Sequence, residues 1–278
     1  MKIWNEISIK ENKDKLIDIP SGFKFLNPHP YYVLGAPYKE KKAIWKLREE
    51  VVKRLIKVIN MNTVVTFGEI MGRMATPGNL RLRQTREFEV TYAGAEASVA
   101  ASVCNFGGNA RYVTALPKHS IAESAVDSVR AVGIDTSCII RTDEGRLGMY
   151  YLEAGANQRP SNVIYDRADS SVSLLHADQY NWNMIFEGAS WFHISGITPA
   201  LSKNAAEVSL YAVQQAQANG VKVSCDLNFR KKLWQWGEKG EDAKELARKT
   251  MAEILKYVNV VIANEEDCAD VCNIHAGD

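Results

Sequence analysis

An asparagine and an arginine follow an apolar run that is typical of a buried strand. The run covers residues 221–225, and Asp226-Leu-Asn-Phe-Arg230 comes directly after it. Ligands of parallel sheets bind beyond the carboxyl ends of the strands, so Asn228 and Arg230 are predicted to face that crevice. An arginine guanidinium binds a carboxylate or a phosphate through two parallel hydrogen bonds. The segment therefore indicates an anion-binding site, with surface pairing of Arg230 as the alternative.

A second polar segment, Asn264-Glu-Glu-Asp267, follows the apolar run of residues 258–263. Carboxylate and amide oxygens are suitable ligands for Mg2+, so Asn264 and Asp267 could orient a magnesium shell. Helix capping is the structural alternative for Asn264, and also for Asp226.

A third segment, Tyr92-Ala-Gly94-Ala-Glu96, places a glycine and a carboxylate where a helix is predicted to begin. Backbone N–H groups at the start of a helix are free to meet the oxygens of a ligand. Three polar clusters at the ends of strands favour a ligand site over three unrelated structural roles.

The sequence lacks the motifs of the common phosphate-binding loops and of serine hydrolases. The chain contains neither G-x-x-x-x-G-K-[ST] nor G-x-G-x-x-G after a strand, and no G-x-S-x-G supplies a serine nucleophile. Cys268, Cys272 and His275 have the spacing of one helix face plus a tail. We interpret them as buried thiols beside a polar histidine rather than as a zinc site, and assign no metal ligand set of that kind.

Alternating apolar strands and helices must position these residues. Strands are predicted at residues 63–67, 110–114, 137–140, 190–194, 221–225 and 258–263. Helices are predicted at about residues 95–106, 120–132, 203–218 and 241–256. Strands such as residues 258–263 are nearly continuous in apolar character, as strands covered on both faces are. The alternation predicts an α/β domain with a largely parallel sheet.

Two segments break this alternation, and a boundary precedes it. Residues 81–92 and 147–166 alternate polar and apolar positions, which predicts a small separate sheet that lies over the strand ends as a lid. An amphipathic helix is predicted at residues 43–59. Residues 1–60 are therefore interpreted as an N-terminal extension, and residues 61–278 as the main domain.

Composition narrows the class of protein. The 278 residues are 46% hydrophobic and 24% charged, as in ordinary soluble proteins. The net charge is +6 over residues 1–60 and −5 over the rest, so the main domain has no electrostatic reason to bind nucleic acid. No apolar run reaches the length of a membrane span. The five cysteines are scattered and odd in number, which predicts reduced thiols and a cytoplasmic location.

Motifs distributed along the main domain are similar to those of a known family. The first set is Gly68-Glu-Ile70, Thr76-Pro-Gly78, Gly94-Ala-Glu96, Phe106-Gly-Gly108, Ala115-Leu-Pro-Lys118 and Gly133-Ile-Asp-Thr136. The second set is Gly148-Met-Tyr150, Gly155–Ser161, Tyr165-Asp-Arg167, His193–Ser202, Asp226–Arg230 and Leu233-Trp234. The first set resembles pfkB-type carbohydrate kinases, and the second resembles their 2-keto-3-deoxygluconate kinase branch. The resemblance is continuous over residues 61–274.

The resemblance implies a fold and an activity. The fold would be a ribokinase-like three-layer αβα domain with a small β lid. The activity would be phosphorylation of a six-carbon keto-deoxy sugar acid by ATP with Mg2+, and the lid could pair two copies into a homo-oligomer. Alternatives are a kinase for another sugar, such as fructose or ribose, and a non-catalytic sugar-acid-binding fragment.

The resemblance also implies residue roles in substrate binding. Gly94 would contact the substrate through its backbone, Tyr150 would cover the sugar acid from the lid, and Arg167 would lie on the lid's return strand. Arg230 would bind the substrate carboxylate, beside Asn228.

The phosphate side of the site is implied in the same way. Asn264 and Asp267 match the family's N-x-x-E motif, with Asp in place of Glu, and would help to arrange magnesium and phosphate.

Both ends of the chain depart from the family. The terminal His275-Ala-Gly-Asp278 is similar to the family's G-A-G-D motif but has one glycine instead of two, so we assign no general base. We therefore expect a kinase domain that is incomplete at its C-terminus and inactive. Ile19-Pro20, Asn27–Tyr32 and Leu34–Tyr38 resemble the opening of D-alanyl-D-alanine dipeptidases. No downstream zinc ligands accompany that segment, so a peptidase activity is not expected.

Overall fold

A computed structural model describes residues 63–275. The predicted helix at residues 43–59, the boundary near residue 60 and the terminal Asp278 lie outside these residues, and those predictions stay untested.

Strands and helices alternate along the described part of the chain. The strands are β1 Thr63–Phe67, β2 Met71–Ala75, β3 Glu89–Ala93, β4 Asn109–Val113, β5 Ala115–Pro117, β6 Ile140–Thr142, β7 Met149–Glu153, β8 Asn162–Asp166, β9 Ala189–Ser195, β10 Lys222–Asp226 and β11 Val260–Ile262. The helices are α1 Ala95–Asn105, α2 Ser120–Arg130, α3 Ser171–Leu174, α4 Trp182–Phe186, α5 Ile197–Ala200, α6 Lys203–Ala218, α7 Ala243–Leu255 and α8 Glu265–Asp267. A 3-10 turn spans Ala177–Gln179, and a π-helical turn spans Cys268–Cys272.

Five parallel strands form the main sheet in the order β11-β10-β9-β1-β4. On one face, side chains such as Val65 and Phe192 pack with α6 and α7 into a large apolar core. On the other face, Tyr112 and its neighbours pack with α1 and α2 into a second core. Both faces of the sheet therefore carry helices, which confirms the predicted three-layer α/β domain.

A separate four-stranded sheet, in the order β3-β2-β7-β8, contains the strands of the predicted lid and is called the lid below. Its β2 pairs with β3 in antiparallel and with β7 in parallel orientation, and β7 pairs with β8 in antiparallel orientation. The predicted lid segment 147–166 contains two of these strands. The predicted segment 81–92 is wrong over most of its length, because the strand begins only at Glu89 and turns precede it.

Most predicted elements of the main domain agree with the structure to within a few residues. The strand predicted at residues 137–140 is wrong in position: it lies at Ile140–Thr142 and pairs with β5 in a two-stranded sheet outside the main one. The short helices α3, α4 and α5 were not predicted. Among the described residues, no helix has the length and apolar character needed to cross a membrane.

Candidate functional site

The polar segments predicted to form a site lie at one edge of the main sheet. The register pairs Ser195 with Asp226, and Asp226 with Ile262, so β9, β10 and β11 end side by side. Since β1 runs parallel to β9, Gly68 also leaves the sheet at this edge. The carboxyl ends of the strands therefore bring these segments together, as expected for a parallel α/β sheet.

The loop after β10 has a defined shape. Asn228 adopts the left-handed conformation, with φ of 37°, which asparagine tolerates better than most residues. The next residue, Phe229, donates its backbone N–H to Asp267 Oδ1 at 3.1 Å. Asn264 Oδ1 in turn accepts the backbone N–H of Asp267 at 2.7 Å, at the start of α8. Two side chains predicted to orient magnesium therefore act here as a loop anchor and a helix cap.

Arg230 ends this loop with an exposed side chain. Its Nη1 donates to the carbonyl oxygen of Phe229 at 3.0 Å. No carboxylate of residues 63–275 lies within ion-pair distance of the guanidinium, so the surface-pairing alternative is not observed. The helix-capping alternative for Asp226 is also wrong, because no helix begins after it until α7. Burial raises the pKa of Asp226, and neighbouring Asp267 adds to the effect, while the backbone N–H of Asn228 and the charge of Arg230 oppose it.

Gly94 occupies the N-cap of α1, at the same edge of the sheet. A Cβ at this position would clash with the carbonyl oxygen of Glu69, so the close approach of the two segments requires glycine. The first backbone N–H groups of α1 follow directly. An α-helix has no internal acceptors for such groups, and they are suited to binding an anionic or polar ligand.

The carboxylate of Glu96 is turned inward, away from that helix start. Its Oε1 accepts hydrogen bonds from Ser195 Oγ at 2.6 Å, Thr198 Oγ1 at 3.0 Å and Ser195 N at 3.2 Å. Burial raises the pKa of Glu96. Glu96 therefore joins α1 to the end of β9 and does not face a ligand.

One face of the lid presents aromatic and basic side chains. The register places Arg73, Tyr150 and Tyr165 in one row across β2, β7 and β8. The rings of Tyr150 and Tyr165 have centroids 5.8 Å apart, and burial raises the pKa of Tyr150. The guanidinium carbon of Arg167 lies 5.7 Å from the Tyr165 ring centroid.

Arg167 also forms a buried ion pair with Glu69. Its Nε donates to Glu69 Oε2 at 2.8 Å, and its Nη2 contacts the same oxygen. The exposed fractions of the two side chains are 11% for Arg167 and 3% for Glu69. Burial raises the pKa of Glu69, while the charge of Arg167 and the side chain of Ser170 oppose this rise.

The predicted site residues thus form two groups at the carboxyl edge of the sheet. One group lies near Glu69 and on the adjoining face of the lid, and comprises Gly94, Tyr150 and Arg167. The other surrounds the loop after β10, and comprises Asn228, Arg230, Asn264 and Asp267.

Sequence analysis missed two members of this site. Tyr165 could have been found, because it lies on β8 two residues before Arg167, which follows the strand directly, and residues two apart in extended backbone share a face. Glu69 follows β1 as the other polar residues follow their strands, so the same rule pointed to it. Within residues 63–275, no cluster of three or more His, Cys, Asp or Glu side chains is placed to hold a metal ion.

A parallel α/β sheet covered by helices on both faces, with a separate four-stranded β sheet beside it, defines the fold class. Within that class, the chain belongs to the pfkB family of carbohydrate kinases, whose match extends over residues 61–278.

The individual relatives that match the chain have names that specify a substrate. The 2-dehydro-3-deoxygalactonokinase of Haloferax volcanii is 34% identical over 211 residues, which are 76% of this chain and 63% of the relative. The 2-dehydro-3-deoxygluconokinase of Bacillus subtilis is 28% identical over 61% of this chain and 52% of the relative. The crystal structure of 2-dehydro-3-deoxygluconokinase from Thermotoga maritima has a TM-score of 0.72 and 45% identity, and the match covers 78% of this chain and 64% of that protein.

The chain therefore spans between about half and somewhat less than two thirds of the length of these relatives. All of these matches are kinases, and they do not support the resemblance of residues 1–60 to dipeptidases, which lies outside the described residues.

Proposed function

We propose that the chain binds the acceptor in a kinase that transfers phosphate from ATP to a hydroxyl of a six-carbon keto-deoxy sugar acid such as 2-keto-3-deoxygluconate. The observation that carries this proposal is Arg230, whose guanidinium lies at the carboxyl edge of the sheet and has no carboxylate within ion-pair distance among the described residues, although its charge acts on the nearby Asp226. Such a group suits the carboxylate that distinguishes a sugar acid from a neutral sugar. The names of the relatives from Haloferax volcanii and Thermotoga maritima agree with this class of substrate.

Each group of side chains then has a part in binding the acceptor. Arg230 holds the carboxylate, and the left-handed turn at Asn228 directs the loop that carries it. The first N–H groups of α1, which follow Gly94, bind sugar oxygens. Tyr150, Tyr165 and Arg167 cover the sugar from the lid, where the aromatic rings exclude water.

ATP is the phosphoryl donor in this proposal. Fructokinase from Xylella fastidiosa, solved with bound ATP, is 25% identical to this chain with a TM-score of 0.65. The nucleotide supplies the phosphoryl group, and Mg2+ would neutralise its charge. Asn264 Oδ1 and Asp267 Oδ1 each accept a backbone N–H, so these two oxygens hold the local backbone. Their role in this proposal is to shape the loop that carries Arg230.

A lid-to-lid dimer is part of the same proposal. Val90 and Ile164 lie on the lid face opposite Tyr150, and each is 51% exposed. A second copy would cover this apolar face. Light scattering of the purified chain tests the dimer, and a strict monomer at sugar-acid concentrations that saturate the protein would reject it.

We further propose that the kinase part begins near residue 61 and that the protein acts in the cytoplasm, where its free cysteines stay reduced.

Calorimetric titration tests the function. The purified chain is titrated with 2-keto-3-deoxygluconate, with its galactonate-derived epimer and with fructose, and the same samples are assayed for ATP-dependent phosphorylation. We expect binding of at least one sugar acid at least ten times tighter than binding of fructose. Equal affinities would favour a kinase for a neutral sugar. Binding of a sugar acid without phosphorylation agrees with the inactivity expected from the sequence and with the sugar-acid-binding alternative, whereas turnover clearly above background would contradict both.

A further inference from the structure

The chain passes between the main sheet and the lid at four crossings. The first is Gly68-Glu69-Ile70, between β1 and β2, and the second is Gly94, between β3 and α1. The third is Gly148, just before β7, and the fourth is Arg167, just after β8. Any motion of the lid relative to the main sheet must bend the backbone at these four places.

The other three crossings all contact Glu69. Gly94 packs against the carbonyl oxygen of Glu69 so closely that any side chain would clash with it. A Cβ at Gly148 would lie 2.6 Å from Glu69 Oε1, so the carboxylate occupies the space beside that glycine. Arg167 Nε donates to Glu69 Oε2 at 2.8 Å. The side chain and the backbone carbonyl group of Glu69, which lies at the first crossing, therefore contact the other three crossings.

The ion pair also determines where the Arg167 guanidinium lies. Two of its three nitrogens contact Glu69, and its carbon lies 5.7 Å from the ring centroid of Tyr165 on the lid's aromatic face. Both partners are almost fully buried, and removing one partner of such a pair leaves an uncompensated charge. The orientation of Arg167 therefore depends on Glu69.

We propose that Glu69 is a positioning residue that holds Arg167 in the sugar-acid site and is the hinge about which the lid closes on the bound substrate. The proposal rests on the function proposed above for its substrate. The hinge role of Glu69 depends only on the geometry of the four crossings, so it can be tested without any ligand.

The test measures sugar-acid affinity and lid exchange in one set of variants. Glu69→Gln keeps the shape of the side chain and removes its charge. We expect about 10- to 100-fold weaker binding of 2-keto-3-deoxygluconate, because a charge-assisted contact contributes about 1.5–3 kcal/mol. In hydrogen exchange, the ligand should protect β7 and β8 of the wild-type chain, and this protection should be lost in Glu69→Gln while that of the Arg230 loop is retained.

Glu153→Gln is the matched control. Glu153 is another largely buried lid carboxylate, 3.6 Å from Arg159 Nε, and it accepts the Leu82 N–H, but it lies away from the crossings. The same substitution there should leave affinity and ligand-induced protection close to wild type. Equal effects of the two substitutions would overturn the proposal, as would wild-type affinity and protection in Glu69→Gln.

Two further outcomes are decided by the same experiment. If the wild-type chain binds no sugar acid, the proposed function fails, and exchange without ligand decides the hinge: β7 and β8 should exchange faster in Glu69→Gln than in Glu153→Gln, and unchanged rates reject the hinge. If Glu69→Gln does not fold, Glu69→Asp replaces it, since it keeps the charge and shortens the side chain. It should bind the sugar acid several-fold more weakly, and wild-type binding with wild-type lid exchange would overturn the proposal.

Discussion

Ser195 Oγ donates a hydrogen bond of 2.6 Å to Glu96 Oε1, between the end of β9 and the first turn of α1. Both side chains are 1% exposed, and Thr198 donates to the same oxygen. The bond fixes the start of α1 against the main sheet. Because Gly94 and the first N–H groups of α1 belong to the proposed sugar site, a contact that touches no ligand helps to determine its shape.

Glu96→Gln should change how stability depends on pH. Burial raises the pKa of Glu96 from its usual 4.5, so the unfolded chain loses this proton at lower pH than the folded chain does. The wild-type protein therefore loses stability as pH rises above about 4.5 toward the folded-state pKa. The glutamine variant lacks this loss. Urea unfolding from pH 4 to pH 8 should show the variant gaining stability relative to wild type.

Glu207→Gln, at an exposed position of α6, controls for the removal of a carboxylate. If the curves of free energy of unfolding against pH for Glu96→Gln and wild type are parallel, the ionisation of Glu96 does not contribute as described.

Arg230→Ala should weaken the binding of sugar acids selectively. The lost charge-assisted hydrogen bonds predict about 10- to 100-fold lower affinity for 2-keto-3-deoxygluconate and little change for fructose. The side chain is exposed, so the melting temperature should stay within a few degrees of wild type. Arg130→Ala, an exposed arginine on α2, is the matched control. Equal losses for both sugars would remove the carboxylate-binding role.

Asp267→Ala should destabilise the protein by about 1–3 kcal/mol. The substitution leaves the Phe229 N–H without its acceptor beneath the loop that carries Arg230. Chemical unfolding measures this loss, and Asp143→Ala, at a side chain that is 83% exposed, is the control. A magnesium ligand would behave differently: its loss would abolish stabilisation by Mg2+ and leave the stability of the metal-free protein unchanged. That pattern would contradict the loop-anchor role.

Much of the main sheet was predictable, and the lid only partly so. Its inner strands β1, β9 and β10 are largely buried and therefore appear as mostly apolar runs, whereas the edge strand β11 is apolar but exposed at all three residues. In the lid, the polar–apolar alternation of residues 81–88 indicated a strand, yet local hydrogen bonds such as Arg81 N to Gln84 Oε1 form turns instead. Strand β2 was missed because Met71-Gly-Arg-Met-Ala75 contains a glycine and no β-branched residue, so its pairing depends on its neighbours.

The candidate site was also predictable only in part. The position of Arg230 and Asn228 at the carboxyl edge of the sheet was predictable because they follow a recognisable strand. The partnership of Glu69 with Arg167 was not, because 98 residues separate them and only the pairing of lid strands brings them together. Asn264 and Asp267 were placed correctly at the edge, but sequence could not show that backbone N–H groups take up their oxygens.

A final prediction concerns acid unfolding and the buried His193. Burial lowers the pKa of His193 from 6.5 to about 4, and its Nδ1 lies 2.9 Å from Ser224 Oγ, which also accepts the Trp191 Nε1–H. As pH falls below 6.5, His193 binds a proton in the unfolded chain but stays neutral in the folded chain until the pH approaches about 4. The stability supplied by the neutral ring, about 3 kcal/mol, is therefore lost by the time the pH reaches about 4.

His193→Asn, which keeps an acceptor near Ser224, should remove this dependence even though it costs stability at neutral pH. Urea unfolding at intervals between pH 7 and pH 4 should show a steeper loss for wild type than for the variant. His176→Asn makes the same change at an exposed histidine, and it controls for the replacement of an imidazole ring by an amide. Because buried carboxylates such as Glu96 change stability in the opposite direction over this range, only the difference between His193→Asn and wild type isolates the histidine. Curves of equal slope for the two proteins would show that His193 binds its proton as readily in the folded state as in the unfolded state.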